Sequence, residues 1–498
     1  MIQGEDMRQA QNFPTYRGKM EYVCQGCGAR YPGDDLFYTC PDCGGVFLLQ
    51  DGNQDQLRQV SGEAWRQTFD SRKGSAHPAL QGIFRYFELM APMLEPEDVV
   101  WLGEGHTPIV RSAPELKKNI DHPLAFKHEG QNPSASFKDR GMACAFSALK
   151  SMIRKHGWDE VLTVCASTGD TSAAAAMYGA YVGPPVKTLV LLPKGKVTPQ
   201  QLGQPLGSGA EVFELPGVFD DCMRVVEHLA EHYRVALLNS KNSWRILGQE
   251  SYAYECAQWA NWDVSGQVVF VPIGNAGNIS AIMSGFLKLH GLGVITCLPR
   301  IIGVQSVHAD PVYRFYAQPS GGREYQPVQV RSSVAQAAMI GNPVSFPRVR
   351  ALVESYEKVT GQGGFEVVQV DEQAIMDSMV LANRHGHISC TQGGECLAGL
   401  IRAKELGLVD RDELAILDAT AHSLKFMGFQ DMYFSDSFPL EYGVKPRPEL
   451  MNNPQSLDVP GISEHSPEQV ERFVLQASQE IEKRLRLRAK PRHGRRPK

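Results

Sequence analysis

The stretch with the sharpest chemical potential runs Lys127-His128-Glu129-Gly130-Gln131-Asn132-Pro133-Ser134-Ala135-Ser136-Phe137-Lys138-Asp139-Arg140-Gly141. Asn132-Pro133 sets a turn, Ser136 is placed to cap a new helix, and Lys138 then falls in that helix's first turn, beside exposed N–H groups. The positive field of a helix N-terminus, reinforced by a second cation such as Arg140, disfavours the charged form of a lysine. The result is a nucleophilic amine, the side chain that forms a Schiff base with an aldehyde cofactor. Taken alone, Ser136-Phe137-Lys138-Asp139-Arg140-Gly141 reads equally well as a charged surface helix, so its companions decide.

Two companions have the form of strand, small polar turn and helix. Ala166-Ser167-Thr168-Gly169-Asp170-Thr171-Ser172 follows an apolar run ending at Cys165 and opens an alanine-rich segment. Val271-Pro272-Ile273-Gly274-Asn275-Ala276-Gly277-Asn278 follows another. Such turns aim unpaired N–H groups into the crevice at the carboxyl ends of strands, where a phosphate is favoured by the helix dipole. The second has neither the Gly-x-Gly-x-x-Gly spacing of a dinucleotide site nor the Gly-Lys-Ser/Thr of a Walker loop, so a monophosphate is the better-sized guest. Separately, Cys24-Gln25-Gly26-Cys27 and Cys40-Pro41-Asp42-Cys43 are two Cys-x-x-Cys knuckles followed by Gly28 and by Gly44-Gly45. Paired knuckles on a short hairpin are the pattern of a zinc ribbon, with four reduced thiols that bind nothing as the alternative.

These motifs need a frame. From about Pro96 to Gln430 short apolar runs alternate with helix-like stretches, the pattern of βαβ units and a parallel sheet. Strands are predicted over Glu160–Cys165, Lys187–Leu192, Gln267–Pro272 and Leu414–Leu417, and helices over Ser172–Tyr181, Phe219–Tyr233 and Asn278–Leu289. The 498 residues, 43% hydrophobic and 21% charged, suit a globular α/β enzyme of two or three units. A net charge of −5 gives no overall attraction to nucleic acid or an anionic membrane. Met1–Met20 has no apolar signal core and no run reaches the roughly 18–20 residues of a spanning helix, so a cytoplasmic protein is expected. An odd count of 11 cysteines argues against a disulfide framework. Beyond Pro454 the chain turns polar, with one amphipathic helix predicted over Ser466–Arg486 and a basic run over Arg484–Lys498 that reads as a solvated terminus.

The three chemical stretches, in this order, resemble the fold type II family of pyridoxal-phosphate enzymes. Further pieces narrow the resemblance to the threonine synthases: Leu102-Gly103-Glu104-Gly105-His106-Thr107-Pro108, Asn239-Ser240-Lys241-Asn242-Ser243-Trp244-Arg245-Ile246-Leu247-Gly248-Gln249, Ile340-Gly341-Asn342-Pro343-Val344-Ser345 and Ala419-Thr420-Ala421-His422-Ser423-Leu424-Lys425-Phe426. The likeness covers about residues 20–430. It implies two α/β domains with parallel or mixed sheets, of the tryptophan synthase β-like kind, preceded by a small zinc ribbon. The expected division is a ribbon-like segment at 18–50, a catalytic region at 51–450 with a smaller subdomain at about 139–238 inserted in the larger one, and a helical basic tail at 455–498.

Carried over position by position, the resemblance makes Lys138 the catalytic Schiff-base lysine. It places Gly274, Asn275, Ala276, Gly277 and Asn278 around the cofactor phosphate, Asp170 near the ring hydroxyl and Thr420 near the ring nitrogen. Thr171, Asn239, Ser240 and Arg245 match positions that hold the substrate's own phosphate, a task suited to a planar guanidinium. Pyridoxal 5'-phosphate is the implied cofactor, Zn²⁺ on Cys24, Cys27, Cys40 and Cys43 the second. The implied reaction is O-phospho-L-homoserine and water to L-threonine and phosphate, with a homodimer expected and neither membrane nor nucleic acid as partner. The alternative keeps the fold and acts on serine, threonine or O-phosphoserine; a retired scaffold that contacts RNA is a further rival. Three departures stand out. Many relatives have glycine at Ala135, and some have asparagine at Asp170, where a carboxylate beside the ring hydroxyl needs a shared proton or a nearby cation. Ala421 and Ser423 replace small glycines around His422, which reads as structural or pocket-lining.

Overall fold

The computed structural model describes residues 13–488 apart from 168, 195–198, 218 and 463–465, so Thr168 of the first anion loop, most of the basic run and the beginning of the chain lie outside the described residues. The chain divides into two compact units, Met1–Leu450 and Met451–Lys498. Among its described residues the second carries one helix, Pro467–Leu485, close to the span predicted; Ser466 caps it by accepting from the Gln469 N–H, and no residue of the helix is buried.

Among its described residues the first unit holds three sheets. Strands β1 (Met20–Cys24), β2 (Arg30–Pro32) and β3 (Phe47–Asp51) form an antiparallel sheet in the order β2-β1-β3. A six-stranded sheet has the order β12-β11-β10-β13-β5-β4, from β4 (Ile109–Arg111), β5 (Leu124–His128), β10 (Gln267–Pro272), β11 (Arg300–Ser306), β12 (Phe365–Val370) and β13 (Leu414–Ala419). It is parallel except for β4, which runs antiparallel on the edge. The third sheet is wholly parallel, β8-β7-β6-β9, from β6 (Val161–Ala166), β7 (Val186–Pro193), β8 (Glu211–Leu215) and β9 (Val235–Leu237). The α/β architecture with parallel and mixed sheets is the one expected. Gln-Val-Val-Phe-Val-Pro of β10 is buried at every position, as a central strand covered on both faces must be.

Each chemical motif leaves the carboxyl end of a strand. Helix α1 (Lys138–His156) follows β5, α2 (Asp170–Val182) follows β6, and α3 (Phe219–His232) precedes β9. The segment from β9 leads through Asn239 and Ser240 to α4 (Ser243–Gln249) and α5 (Ser251–Trp259). Helix α6 (Gly277–Gly291) follows β10, and α7 (Phe346–Thr360) and α8 (Thr391–Glu405) complete the elements that meet the site. No helix among the described residues is long and apolar enough to cross a membrane.

At the base of this arrangement lies a cluster of two cations and two anions sealed from water. Arg140 donates from Nε and Nη2 to Glu129 at 2.6 and 2.8 Å, and from Nη1 and Nη2 to Glu255 at 2.7 Å each. Lys127 Nζ donates to Glu255 at 2.7 Å, and the Thr107 hydroxyl accepts from Lys127 while donating to Glu129. All four charged groups are buried, and Arg140 holds both carboxylates below their ordinary range against the opposing effect of burial. Charge balance makes the cluster tolerable, whereas removing one member strands an ion in a low-dielectric interior. Glu255→Ala should therefore lower the unfolding free energy by about 3–5 kcal/mol in urea titration; a loss under about 1 kcal/mol, the surface-pair range, would refute the cluster's role.

Candidate active site

Lys138, Asp170, Ser240, Arg245, the whole turn Gly274–Asn278 and Thr420 line one cavity. The described structure thus brings together residues from five chain segments and two sheets. Thr171 and Asn239 stand outside that lining. Thr171 is half-buried in the first turn of α2. The Asn239 amide is spent on the end of β6, accepting from the Ala166 N–H at 3.2 Å and donating to its carbonyl at 3.3 Å.

Lys138 opens α1 as expected, but two local details differ from the sequence reading. Ser136 does not cap the helix: its buried hydroxyl has no partner, and the residue pairs instead through an antiparallel bridge with Ala421. The carboxylate of Asp139 does the local fastening by accepting from the Ser134 N–H and hydroxyl, both at 2.6 Å. Phe137 N donates to the Thr420 carbonyl and His422 N to that of Ala135, so the lysine segment is sewn to the loop after β13. The second correction concerns charge. Arg140 is consumed by Glu129 and Glu255; the cation that acts on Lys138 is Arg245. Burial first, then Arg245, lower the Lys138 amine from 10.5 to about 8, with Asp170 opposing. Ala135 has φ 65°, the left-handed region, which is why glycine suits this position.

The cation that a carboxylate at 170 requires is present. Lys425 Nζ lies 3.0 Å from Asp170 Oδ1 and also donates to the Ser134 carbonyl at 2.9 Å. Lys425 belongs to the Ala419–Phe426 motif, yet nothing in the sequence ties it to Asp170. His422 is structural here: its Nδ1 accepts from the Leu424 N–H at 3.2 Å.

In the glycine turn, Ala276 at φ 60° leads into the 15-residue α6 with no side-chain cap, so the helix N-terminus faces the cavity. A Cβ on Gly274 would fall 2.9 Å from Ala338 Cα, so only glycine fits. The two asparagine side chains are occupied elsewhere: Asn275 Oδ1 accepts from the Val344 N–H at 3.4 Å, and Asn278 donates to Asp418 at 2.7 Å. What this turn offers a guest is backbone. The same cavity is lined by Gln249 and Gln392, which sequence reasoning did not single out. Arg245 Nε, Gln249 Oε1 and both amide atoms of Gln392 are buried without partners. Gln249 follows Arg245 by one helical turn, a spacing that marks a shared face; Gln392 carries no such signal. A desolvated amine, an uncapped helix N-terminus and orphaned polar atoms fit an anionic aldehyde such as pyridoxal 5'-phosphate.

The four cysteines also converge. Their sulfurs lie within 4.8 Å of one another, with Cys24–Cys43 at 3.4 Å and Cys27–Cys40 at 3.7 Å. Gly28 and Gly44, at φ 76° and 71°, close the two knuckles, and the Gly26 N–H donates to Cys24 Sγ at 3.3 Å. All eleven cysteines are free.

A family described as pyridoxal-phosphate dependent enzyme matches residues 100–417. The threonine synthase of Methanocaldococcus jannaschii is 35% identical over 403 residues, 81% of this chain and 92% of that protein. Threonine synthase 2, chloroplastic, of Arabidopsis thaliana is 34% identical over 399 residues, covering 80% and 74%. Among solved structures, the threonine synthase of Escherichia coli aligns with a TM-score of 0.59 over 94% of this chain and all of that one, at 20% identity, a likeness of fold.

The low amine value has a direct readout. In the cofactor-free protein, modification of Lys138 by an amine-selective acylating reagent, followed by peptide mass analysis, should rise about tenfold per pH unit and level off near pH 8, because only the neutral amine attacks. Arg245→Met removes a cation that favours the neutral form, so the midpoint should move upward. A plateau deferred to pH 10 or beyond in the native protein would contradict the electrostatics described.

Proposed function

The chain belongs to the pyridoxal-phosphate dependent enzymes, with their fold type II architecture, and within them to the threonine synthases; on that premise we propose that it converts O-phospho-L-homoserine and water to L-threonine and phosphate, with Lys138 as its Schiff-base lysine. One observation carries the assignment of roles: the cavity holds two separate anion-attracting features, the N-terminus of α6 and the guanidinium of Arg245, which has no carboxylate partner among the described residues and whose Nε is unpartnered, with the Lys138 amine lining the same space. A cofactor phosphate and a substrate phosphate require two such features; a substrate without phosphate requires one.

Gly274–Asn278 would receive the cofactor phosphate through backbone N–H groups, with Asp170, 3.0 Å from Lys425, toward the ring hydroxyl and Thr420 toward the ring nitrogen. When bound, the cofactor supplies an electron sink for negative charge developed at the substrate Cα. Lys138 Nζ takes the Cα proton, relinquishes it before it takes a Cβ proton, and delivers protons to Cγ once phosphate has left and to Cα after the water oxygen has added to Cβ, so that the lysine ends as it began and the remaining proton of that water leaves with the phosphate. Arg245 and Ser240 hold the phosphate as it leaves Cγ, and Arg245 can meet two of its oxygens at once. We assign Thr171 and Asn239 to the same subsite as supporting residues outside the cavity lining, Asn239 by fixing the end of β6. The reading extends to a homodimer, supported by the resemblance to the threonine synthases, and to a cytoplasmic setting, supported by eleven unpaired cysteines. It also extends to one Zn²⁺ on Cys24, Cys27, Cys40 and Cys43, supported by the convergence of four sulfurs on one point.

The assignment is tested by incubating the pure holoenzyme separately with O-phosphohomoserine, O-phosphoserine, threonine and serine. Phosphate and threonine should appear one for one from the first alone; phosphate release without threonine would overturn it. Arg245→Ala should raise the KM for O-phosphohomoserine at least tenfold, whereas an enzyme acting on serine or threonine would lose little. Metal analysis should find about one zinc per chain, released by a strong chelator and absent from Cys27→Ser; a metal-free native protein with its thiols intact would refute the zinc site.

A further inference from the structure

Arg348, in the first turn of α7, is a fully buried cation, and no carboxylate is paired with it among the described residues. Its guanidinium is satisfied by neutral oxygens from two distant parts of the chain and from Ser345, three residues before it. Nε donates to the Phe47 carbonyl at 2.7 Å, Nη1 to the Ser240 carbonyl at 2.9 Å and the Ser345 hydroxyl at 2.7 Å, and Nη2 to the Lys241 carbonyl at 3.0 Å. Each partner has a definite place. Phe47 begins β3 of the four-cysteine hairpin, Ser240 lines the cavity, and Ser345 donates its N–H to the carbonyl of Asn275 in the glycine turn.

The hairpin makes further contacts on the same segment. The Ser243 hydroxyl also donates to the Phe47 carbonyl, at 2.9 Å, and Trp244 Nε1 donates to the Tyr22 hydroxyl of β1 at 3.1 Å. Ser243 and Trp244 directly precede Arg245. The hairpin thus holds the start of α4, the helix that presents Arg245 to the cavity. Burying a guanidinium without an anion is costly, so a neutral long side chain would serve better if packing were the whole purpose. Five N–H donors in a rigid fork explain the choice, since no other side chain fastens three carbonyls and a hydroxyl at once.

We propose that Arg348 is the positioning residue of the substrate's phosphate site, and that the four-cysteine hairpin, through Phe47 and Tyr22, is the wall against which that site is set. This rests on the reading that Ser240 and Arg245 receive the substrate phosphate. Arg348 sets the Ser240–Lys241 corner and ties it to the glycine turn through Ser345, while the hairpin fixes the helix of Arg245. The integrity of the cysteine cluster then controls affinity for a phosphorylated substrate although no cysteine reaches the cavity.

The test uses the cofactor-loaded enzyme, with inorganic phosphate as a competitive ligand for the substrate subsite. In Arg348→Lys, the KM for O-phosphohomoserine and the inhibition constant of inorganic phosphate should rise together by tenfold or more, with kcat changed less than threefold and cofactor absorbance unaltered. Hydrogen exchange of the amides from Ser240 to Arg245 should quicken. Ser243→Ala, a gentler cut that removes one donor to the Phe47 carbonyl, should shift the inhibition constant about threefold in the same direction. Chelation of the hairpin metal should do likewise. A fall in melting temperature with both constants unmoved would overturn the proposal, as would loss of cofactor in step with loss of phosphate affinity. If native enzyme neither makes threonine nor is inhibited by phosphate, the functional reading fails first and takes this one with it; if native enzyme does both and the variants match it, the inference about Arg348 alone fails.

Discussion

The balanced charge cluster of Lys127, Glu129, Arg140 and Glu255 is the constraint on which the chemistry rests. It joins β5, the turn after it, α1 and α5, and Thr107 from the segment leading into β4 threads it. Because Arg140 sits one residue beyond Asp139 in the first turn of α1, whatever fixes Arg140 also fixes the direction in which Lys138 leaves the helix. The cluster also cancels the charge of Arg140 locally. Lys138 therefore responds to a different cation, Arg245, which lines the same cavity. The basicity of the lysine is coupled to the group that would bind the substrate's phosphate, and this coupling exists only because the nearer arginine has been neutralised.

Against that balanced pair of charges stand two unbalanced ones. Arg245 and Arg348 are buried with no carboxylate partner among the described residues, and burial pulls both below the ordinary guanidinium value, to about 10 and about 9. In a folded interior such charges are paired unless something else requires them. Arg348 spends all its donors on backbone and hydroxyl oxygens, and is thereby a scaffold. Arg245 donates from Nη1 to the Leu238 carbonyl and keeps Nε free. The contrast separates a cation that organises the wall from one that waits for an anion, although both are arginines at similar depth.

The α/β alternation and its parallel strands were legible because β-branched runs and alanine-rich segments have different periods, and their spans agree with the structure to within a few residues. The convergence of Lys138, Asp170, Ser240, Arg245, Gly274–Asn278 and Thr420 on one cavity follows from the same alternation, since each motif ends a strand. What local sequence does not encode is partnership across long separations. Ser136 has the residue type of a cap, but the bridge to Ala421, 285 positions on, decides its conformation. Arg140 looked like the neighbour that depresses Lys138; Glu255, 115 residues away, removed it from that role. Lys425 supplies the cation that Asp170 needs from a motif read for other reasons. Several residues of the family motifs prove to be framework: Glu104 accepts from the Leu102 N–H and the Tyr178 hydroxyl, and Thr107 belongs to the charge cluster.

The two parallel sheets contribute different halves of the cavity, and this gives the small antiparallel hairpin its significance. The six-stranded sheet delivers the approach to Lys138, the glycine turn and Thr420. The four-stranded sheet delivers Asp170 and the segment from β9 to Arg245. The spacing between the two phosphate-attracting features is therefore a distance between sheets, which neither sheet can set alone. The hairpin touches this boundary at several points. The Tyr38 hydroxyl donates to the Val235 carbonyl and accepts from the Leu237 N–H on β9, while Phe47 meets Ser243 of α4 and, through Arg348, the loop that braces Asn275. A reaction whose substrate carries its own phosphate depends on that spacing, because the leaving group must be gripped at a fixed distance from the amine that moves the protons. A rigid element spanning both halves is what such chemistry asks of the fold.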